Sequence, residues 1–130
     1  MQSPFESRAI EEMLRPRNSK WTVAIVLRLR DRAWRFSELR REIGVPQKTL
    51  TATLRTLERD GLVSRTSYAT IPPRVDYALT DLGREALRVF EAWEQFAMQH
   101  WAEVLASRQR FNAAANTLPE VAQRLDYSQE

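Results

Sequence analysis

The stretch GVPQKTLTATLRTLERDG, residues 44–61, places Gln47, Thr51 and Arg55 four residues apart and Lys48 three before Thr51. At helical spacing these side chains share one face with Ala52, while Leu50, Leu54 and Leu57 share the opposite one. The chemistry on offer is hydrogen bonding to base edges and phosphates rather than bond making. An arginine can donate two hydrogen bonds to one guanine, a glutamine can pair in the same bidentate way with adenine, and Ala52 can touch a thymine methyl. Lys48, Thr49 and Thr51 complete a small, polar and basic set. A leucine-striped helix with such an outer face is also a common solvated surface helix, so the weight falls on what surrounds it.

Catalysis is poorly served by this chain. It holds one histidine, His100, and no cysteine, and its three glycines stand singly at Gly44, Gly61 and Gly83. A nucleophile and base pair, a glycine-rich phosphate loop and metal-ligand spacing are all missing from the pattern, so neither an enzyme nor a cofactor is expected. The lack of cysteine also excludes disulfides, thiolate metal sites and thiol redox switches.

The elements that must position the polar face come next. With 130 residues and 43% hydrophobic content the chain predicts one compact domain. Its formal charge of +3 is unevenly spread. Residues 1–66 carry 14 Lys and Arg against 8 Asp and Glu, whereas residues 67–130 carry 6 against 9. A basic half joined to an acidic half predicts a polyanion partner for one part and a different task for the other. No apolar run approaches the roughly 20 residues of a membrane span, and no leader pattern is apparent, so the expectation is a cytoplasmic protein.

Phe5, Ala9, Met13 and Leu14 predict a short first helix, and Trp21 to Leu29, apolar nearly all round, predicts a helix at the centre of the core. In RFSELRREIG, residues 35–44, Ser37 is the expected N-cap and Gly44 the C-terminus. After Gly61, LVSRT and RVDYAL predict a two-stranded hairpin, because Val75, Tyr77 and Leu79 alternate with Asp76 and Ala78 while Pro72 and Pro73 belong in the connection. Thr80 is placed to cap a final helix running to about Arg110, some 45 Å at about 1.5 Å per residue, a length that predicts a second subunit. Residues 1–110 would form the domain and 111–130 a tail with at most a short helix. The order is that of a winged helix-turn-helix: mainly α with a small β-hairpin wing and a long C-terminal helix. In that design the recognition helix, 46–60, enters the major groove and the wing, 62–79, meets the flanking backbone. Lys20, Arg35, Arg40, Arg65 and Arg74 would add phosphate contacts.

The motifs KWT at 20–22, RFSELRREI at 35–43, KTLTATLRTLERDGLVSR at 48–65 and PPRVDYALTDLG at 72–83 occur together and in this order. Over residues 5–108 the chain resembles the HxlR family of bacterial winged-helix transcription regulators. The resemblance implies a homodimer formed by the first and last helices, bound to an inverted-repeat operator, and more often a repressor than an activator. Its DNA-contacting positions map onto Arg35, Ser37, Gln47, Lys48, Thr51, Arg55 and Arg74. Two departures stand out. Asn18 and Ser19 replace a usual glycine pair, and Pro46 replaces a usual serine, so the recognition helix begins without a capping hydroxyl. Thiol sensing, used by some members, is excluded here.

The acidic half offers Trp93, Phe96, His100 and Trp101 within about two turns of helix. With Trp21 or Phe5 they would form either a dimer seam or a cavity for an aromatic, non-thiol effector. A winged-helix interaction module that does not bind DNA is the remaining alternative. Lys48, Thr51 and Arg55 on the polar face argue against it.

Overall fold

The computed structural model describes residues 7–13 and 19–116. Its elements are α1 (Arg8–Met13), α2 (Ser19–Arg28), β1 (Trp34–Arg35), α3 (Phe36–Ile43), α4 (Gln47–Arg59), β2 (Val63–Tyr68), β3 (Arg74–Leu79) and α5 (Asp81–Asn116). The fold is mainly helical with a small antiparallel wing and a long last helix, as the residue pattern predicts. The described residues form two compact units, one up to Glu91 and one from Ala92 onward.

In the first unit the leucine stripe of α4 faces inward. Leu50, Leu54 and Leu57 are buried together with Ile25, Val26 and Leu29 around α2, Leu39 of α3, Leu62 and Val63, Tyr77 and Leu79 of β3, and Leu87. Burying a leucine contributes about 1.5–3 kcal/mol, so this set is what fixes which face of α4 is left outward. Gly44 and Gly61 end α3 and α4 at φ values of 76° and 80°, the left-handed region that favours glycine. The Gly44 N–H donates to the Arg40 carbonyl at 2.9 Å. The chain therefore turns sharply between α3 and α4, as a helix-turn-helix requires.

Several expectations need correction. The α3 helix starts before Ser37, with Arg35 as its N-cap; the Glu38 carboxylate at N3 accepts the Arg35 N–H at 3.1 Å, the reach-back half of a capping box, while no side chain caps the first-turn N–H groups. The wing is not a plain hairpin, since β1 adds to β3 and gives the strand order β1-β3-β2. Around α2 only Ile25, Val26 and Leu29 are fully buried, and Trp21, Val23 and Leu27 are half-exposed, so the helix lines the core rather than occupying its centre. In α1, Ala9 and Met13 are exposed; Phe5, Leu14 and Asn18 lie outside the described residues.

The hairpin register pairs Val63 with Leu79, Arg65 with Tyr77, Thr66 with Asp76 and Tyr68 with Arg74. The Ile71–Pro72 peptide at its tip is cis. Thr80 caps α5 as expected: its hydroxyl accepts the Gly83 N–H at 3.0 Å and donates to the Gly61 carbonyl at 2.6 Å. The last helix runs six residues past Arg110, to Asn116, and its 36 residues span about 54 Å. Residues 117–130, the rest of the expected tail, lie outside the described residues.

Candidate nucleic-acid interface

With its leucines held in the core, α4 presents Gln47, Lys48, Thr51, Ala52 and Arg55 outward, and these five line a shallow open groove. Thr51 and Arg55 also border a concavity of about 750 Å³ between α4, the start of α3 and the wing. Its lining includes the basic Arg35, Arg55, Arg65 and Arg74 and the less exposed Phe36, Val75 and Tyr77, with Ser37, Glu58 and the Pro72–Pro73 pair. Arginines from four different elements thus border one hollow. Of the expected nucleic-acid contacts, Gln47, Lys48, Thr51, Arg55, Arg35, Ser37, Arg65 and Arg74 are gathered along this continuous face. Three others line neither hollow: Lys20 lies 4.7 Å over the Trp21 ring, Arg40 is exposed farther along α3, and Thr49 is half-buried.

Arg74 is more tightly held than a flexible surface arginine. Its Nε and Nη2 each donate to the Asp76 carboxylate at 2.9 Å, and its guanidinium lies 5.2 Å from the centre of the Tyr68 ring. These side chains meet because residues two apart on a strand share a face, and because Tyr68 is paired with Arg74 across the hairpin. The paired hydrogen bonds from Arg74 hold the Asp76 carboxyl below its ordinary range, and in return raise Arg74. On the far side of β3, Arg35 is the register partner of Asp76 and adds a second positive charge nearby. The Arg35 N–H, donating to Glu38, likewise lowers that carboxyl, with the Arg32 and Arg35 charges adding to the effect. Both carboxylates are therefore ionised at neutral pH and orient the cations around them. Asp76 and Tyr68 were missed by reading the sequence for cations alone; their signal was the two-residue spacing from Arg74 and the predicted pairing of the two strands.

Among the described residues no group of histidine, cysteine or carboxylate side chains is arranged to hold a metal ion. Nor is any helix there long and apolar enough to cross a membrane. A turn between two helices, an outward polar face on the second and a basic wing beside it are the parts of a winged helix-turn-helix.

The family model for the HxlR-like helix-turn-helix matches residues 18–105. The chain belongs to the HxlR-like family. It is 41% identical over 98 residues to the HTH-type transcriptional regulator YtfH of Escherichia coli K12, covering 75% of this chain and 78% of that one. The structure of the transcriptional regulator ytfH from Salmonella typhimurium superposes with a TM-score of 0.71 at 40% identity, over 77% of this chain and 90% of that one. The redox regulator HypR in its reduced form is similar as well, with a TM-score of 0.67 at 33% identity, over 76% of this chain and 98% of that one. This HxlR-like chain is thus a winged helix-turn-helix transcription regulator. Unlike a thiol-based regulator, it has no cysteine with which to sense oxidants.

In the second unit, α5 carries Trp93 and Phe96 stacked with ring centres 5.5 Å apart, and Phe96 and His100 follow at 4.9 Å. Trp93, Phe96 and Trp101 are each about half exposed or more. His100 lies 3.9 Å from Glu103. Trp21 belongs to the first unit, and Phe5 lies outside the described residues.

Proposed function

We propose that the chain binds an inverted-repeat operator as a homodimer and represses by occupying promoter DNA. Each α4 enters a major groove with Gln47, Lys48, Thr51 and Arg55 toward the bases, and each wing sets Arg65 and Arg74 against the flanking phosphates. The observation that carries this reading is that Arg35, Arg55, Arg65 and Arg74, from four elements, all border the hollow beside the exposed face of α4. A strand of backbone phosphates is the natural occupant of such a border, because each neutralised phosphate also releases a condensed counterion. Ser37, in the first turn of α3, and the first-turn N–H groups of α4 add donors suited to the same backbone. Pro46 caps α4 with no side-chain hydrogen bond, and no intrahelical acceptor exists for those N–H groups.

Dimerisation is assigned to α5, whose exposed Trp93, Phe96 and Trp101 make an apolar surface that a two-fold partner would cover. An aromatic, non-thiol effector is a second occupant for these rings, with His100 as its polar contact. Such a ligand would act by favouring one spacing of the two α4 helices over another. For a dimer on one face of the duplex the half-site centres lie about 34 Å apart, roughly one turn.

Fluorescence anisotropy against DNA from immediately upstream of the gene and its divergent neighbour, with random DNA as control and at two salt concentrations, tests this directly. The expected result is tight, salt-sensitive binding that prefers the upstream DNA. Absence of binding even at low salt would remove the proposal.

A further inference from the structure

Three of the four threonines of α4 spend their hydroxyl protons on the helix itself. Thr51 Oγ1 donates to the Gln47 carbonyl at 3.0 Å, Thr53 Oγ1 to the Thr49 carbonyl at 2.8 Å, and Thr56 Oγ1 to the Ala52 carbonyl at 3.2 Å. For buried Thr53 this satisfies a polar group in the core. For Thr51 the consequence differs, because Thr51 is exposed and borders both hollows of the nucleic-acid face. A hydroxyl turned back over the preceding turn leaves the γ-methyl as the outward group of that side chain. The adjoining residue, Ala52, offers only another methyl to the same groove. Between the cations of Lys48 and Arg55, the middle of the face is therefore apolar and has no proton to donate.

We infer that Thr51 reads the 5-methyl group of a pyrimidine in each operator half-site, so that thymine and 5-methylcytosine are accepted there and unmethylated pyrimidines are disfavoured. This rests on α4 being the groove helix. Of the four standard bases only thymine presents a methyl in the major groove, and an apolar side chain set against that methyl supplies discrimination without a hydrogen bond. The size of the effect is that of one methyl removed from water, about fourfold in affinity per half-site. Cytosine methylation at the same position would tighten binding by a similar factor, which makes the operator responsive to the methylation state of the DNA.

The test starts from duplexes selected out of a random pool by the full chain. Each thymine of the selected half-site is replaced in turn by deoxyuridine, and cytosine is compared with 5-methylcytosine at the position that responds. The wild type should show one thymine per half-site at which deoxyuridine weakens binding about fourfold. Thr51→Ser, which keeps the inward hydroxyl and loses the methyl, should abolish that penalty; Thr51→Val, which keeps a methyl and loses the hydroxyl, should retain it. The inference is overturned if no thymine shows a penalty, if the penalty survives in Thr51→Ser, or if it vanishes in Thr51→Val. Selection of sequence-specific duplexes would leave the groove assignment of α4 standing in those cases. A pool that shows no enrichment would overturn the groove assignment itself, and this inference with it.

Discussion

Replacing Arg74 by alanine removes a guanidinium that the wing holds in a fixed pose through Asp76 and Tyr68. If that guanidinium meets a phosphate, its loss should weaken operator and random DNA alike, since the backbone carries no sequence. Each phosphate contact contributes about 0.9 to the slope of log affinity against log salt, so two wings contribute about 1.8. Between about 50 and about 200 mM salt the advantage of the wild type over the variant should then shrink by about 12-fold. One complication is built into the site. Alanine at 74 leaves the Asp76 carboxylate, 9% exposed, without its hydrogen-bond partner and facing an anionic ligand. The Arg74→Ala/Asp76→Ala pair separates the two effects, because it removes the stranded charge as well. The assay is anisotropy titration of operator and random duplexes across a salt series, with thermal unfolding to verify that each variant folds. Parallel salt lines for wild type and both variants would refute the phosphate assignment.

The other predictions concern discrimination, packing and acid stability. Arg55→Ala should narrow the gap between operator and random DNA by about 1–3 kcal/mol, the range of one bidentate base contact, and leave random-DNA affinity less affected; competition titration measures it. Gly83→Ala should destabilise by about 1–3 kcal/mol in urea unfolding, because a Cβ there runs into the Leu62 carbonyl and comes within 3.2 Å of Leu79 Cδ2. For Asp76 the bonds from Arg74 depress the folded pKa, so the stabilisation is complete above the ordinary aspartate range and disappears as pH falls through the lower folded value. The urea midpoint of wild type relative to Asp76→Asn should accordingly stay constant from about pH 8 to about pH 5 and converge only below about pH 4. Convergence between pH 7 and pH 5 would contradict the pairing.

Much of this architecture could be read from local patterns, and the departures have local causes. The leucines at 50, 54 and 57, the glycines at 44 and 61 and the cap at Thr80 each signal through one residue's own chemistry, and each stands where its pattern places it. A two-residue strand such as β1 is too short to carry an alternation, and it exists because β3 has a free edge to pair with. The start of α3 moved because Glu38 reaches back three residues to the Arg35 N–H, a local contact that places the N-cap two residues before Ser37. Past Arg110 the chain reads FNAAAN, polar enough to resemble a tail, yet alanine is the strongest helix former and carries α5 to Asn116. At the nucleic-acid face, types and spacing pointed to α4 and the basic residues, whereas the clamp on Arg74 by Asp76 and Tyr68 and the turn of the Thr51 hydroxyl onto the Gln47 carbonyl are choices of side-chain rotamer that residue types alone do not set.

The hydroxyl of Thr80 joins three pieces of chain at one atom: it donates to Gly61 at the end of α4, belongs to the residue that leaves β3, and accepts from Gly83 in the first turn of α5. The Thr80 N–H reinforces the junction by donating to the Leu62 carbonyl at 3.1 Å. The tail of α4 and the head of the long helix therefore cannot be displaced independently without breaking a hydrogen bond. In mechanical terms the junction is built as a rivet and not a hinge, with the end of α4 and the start of α5 pinned to one side chain.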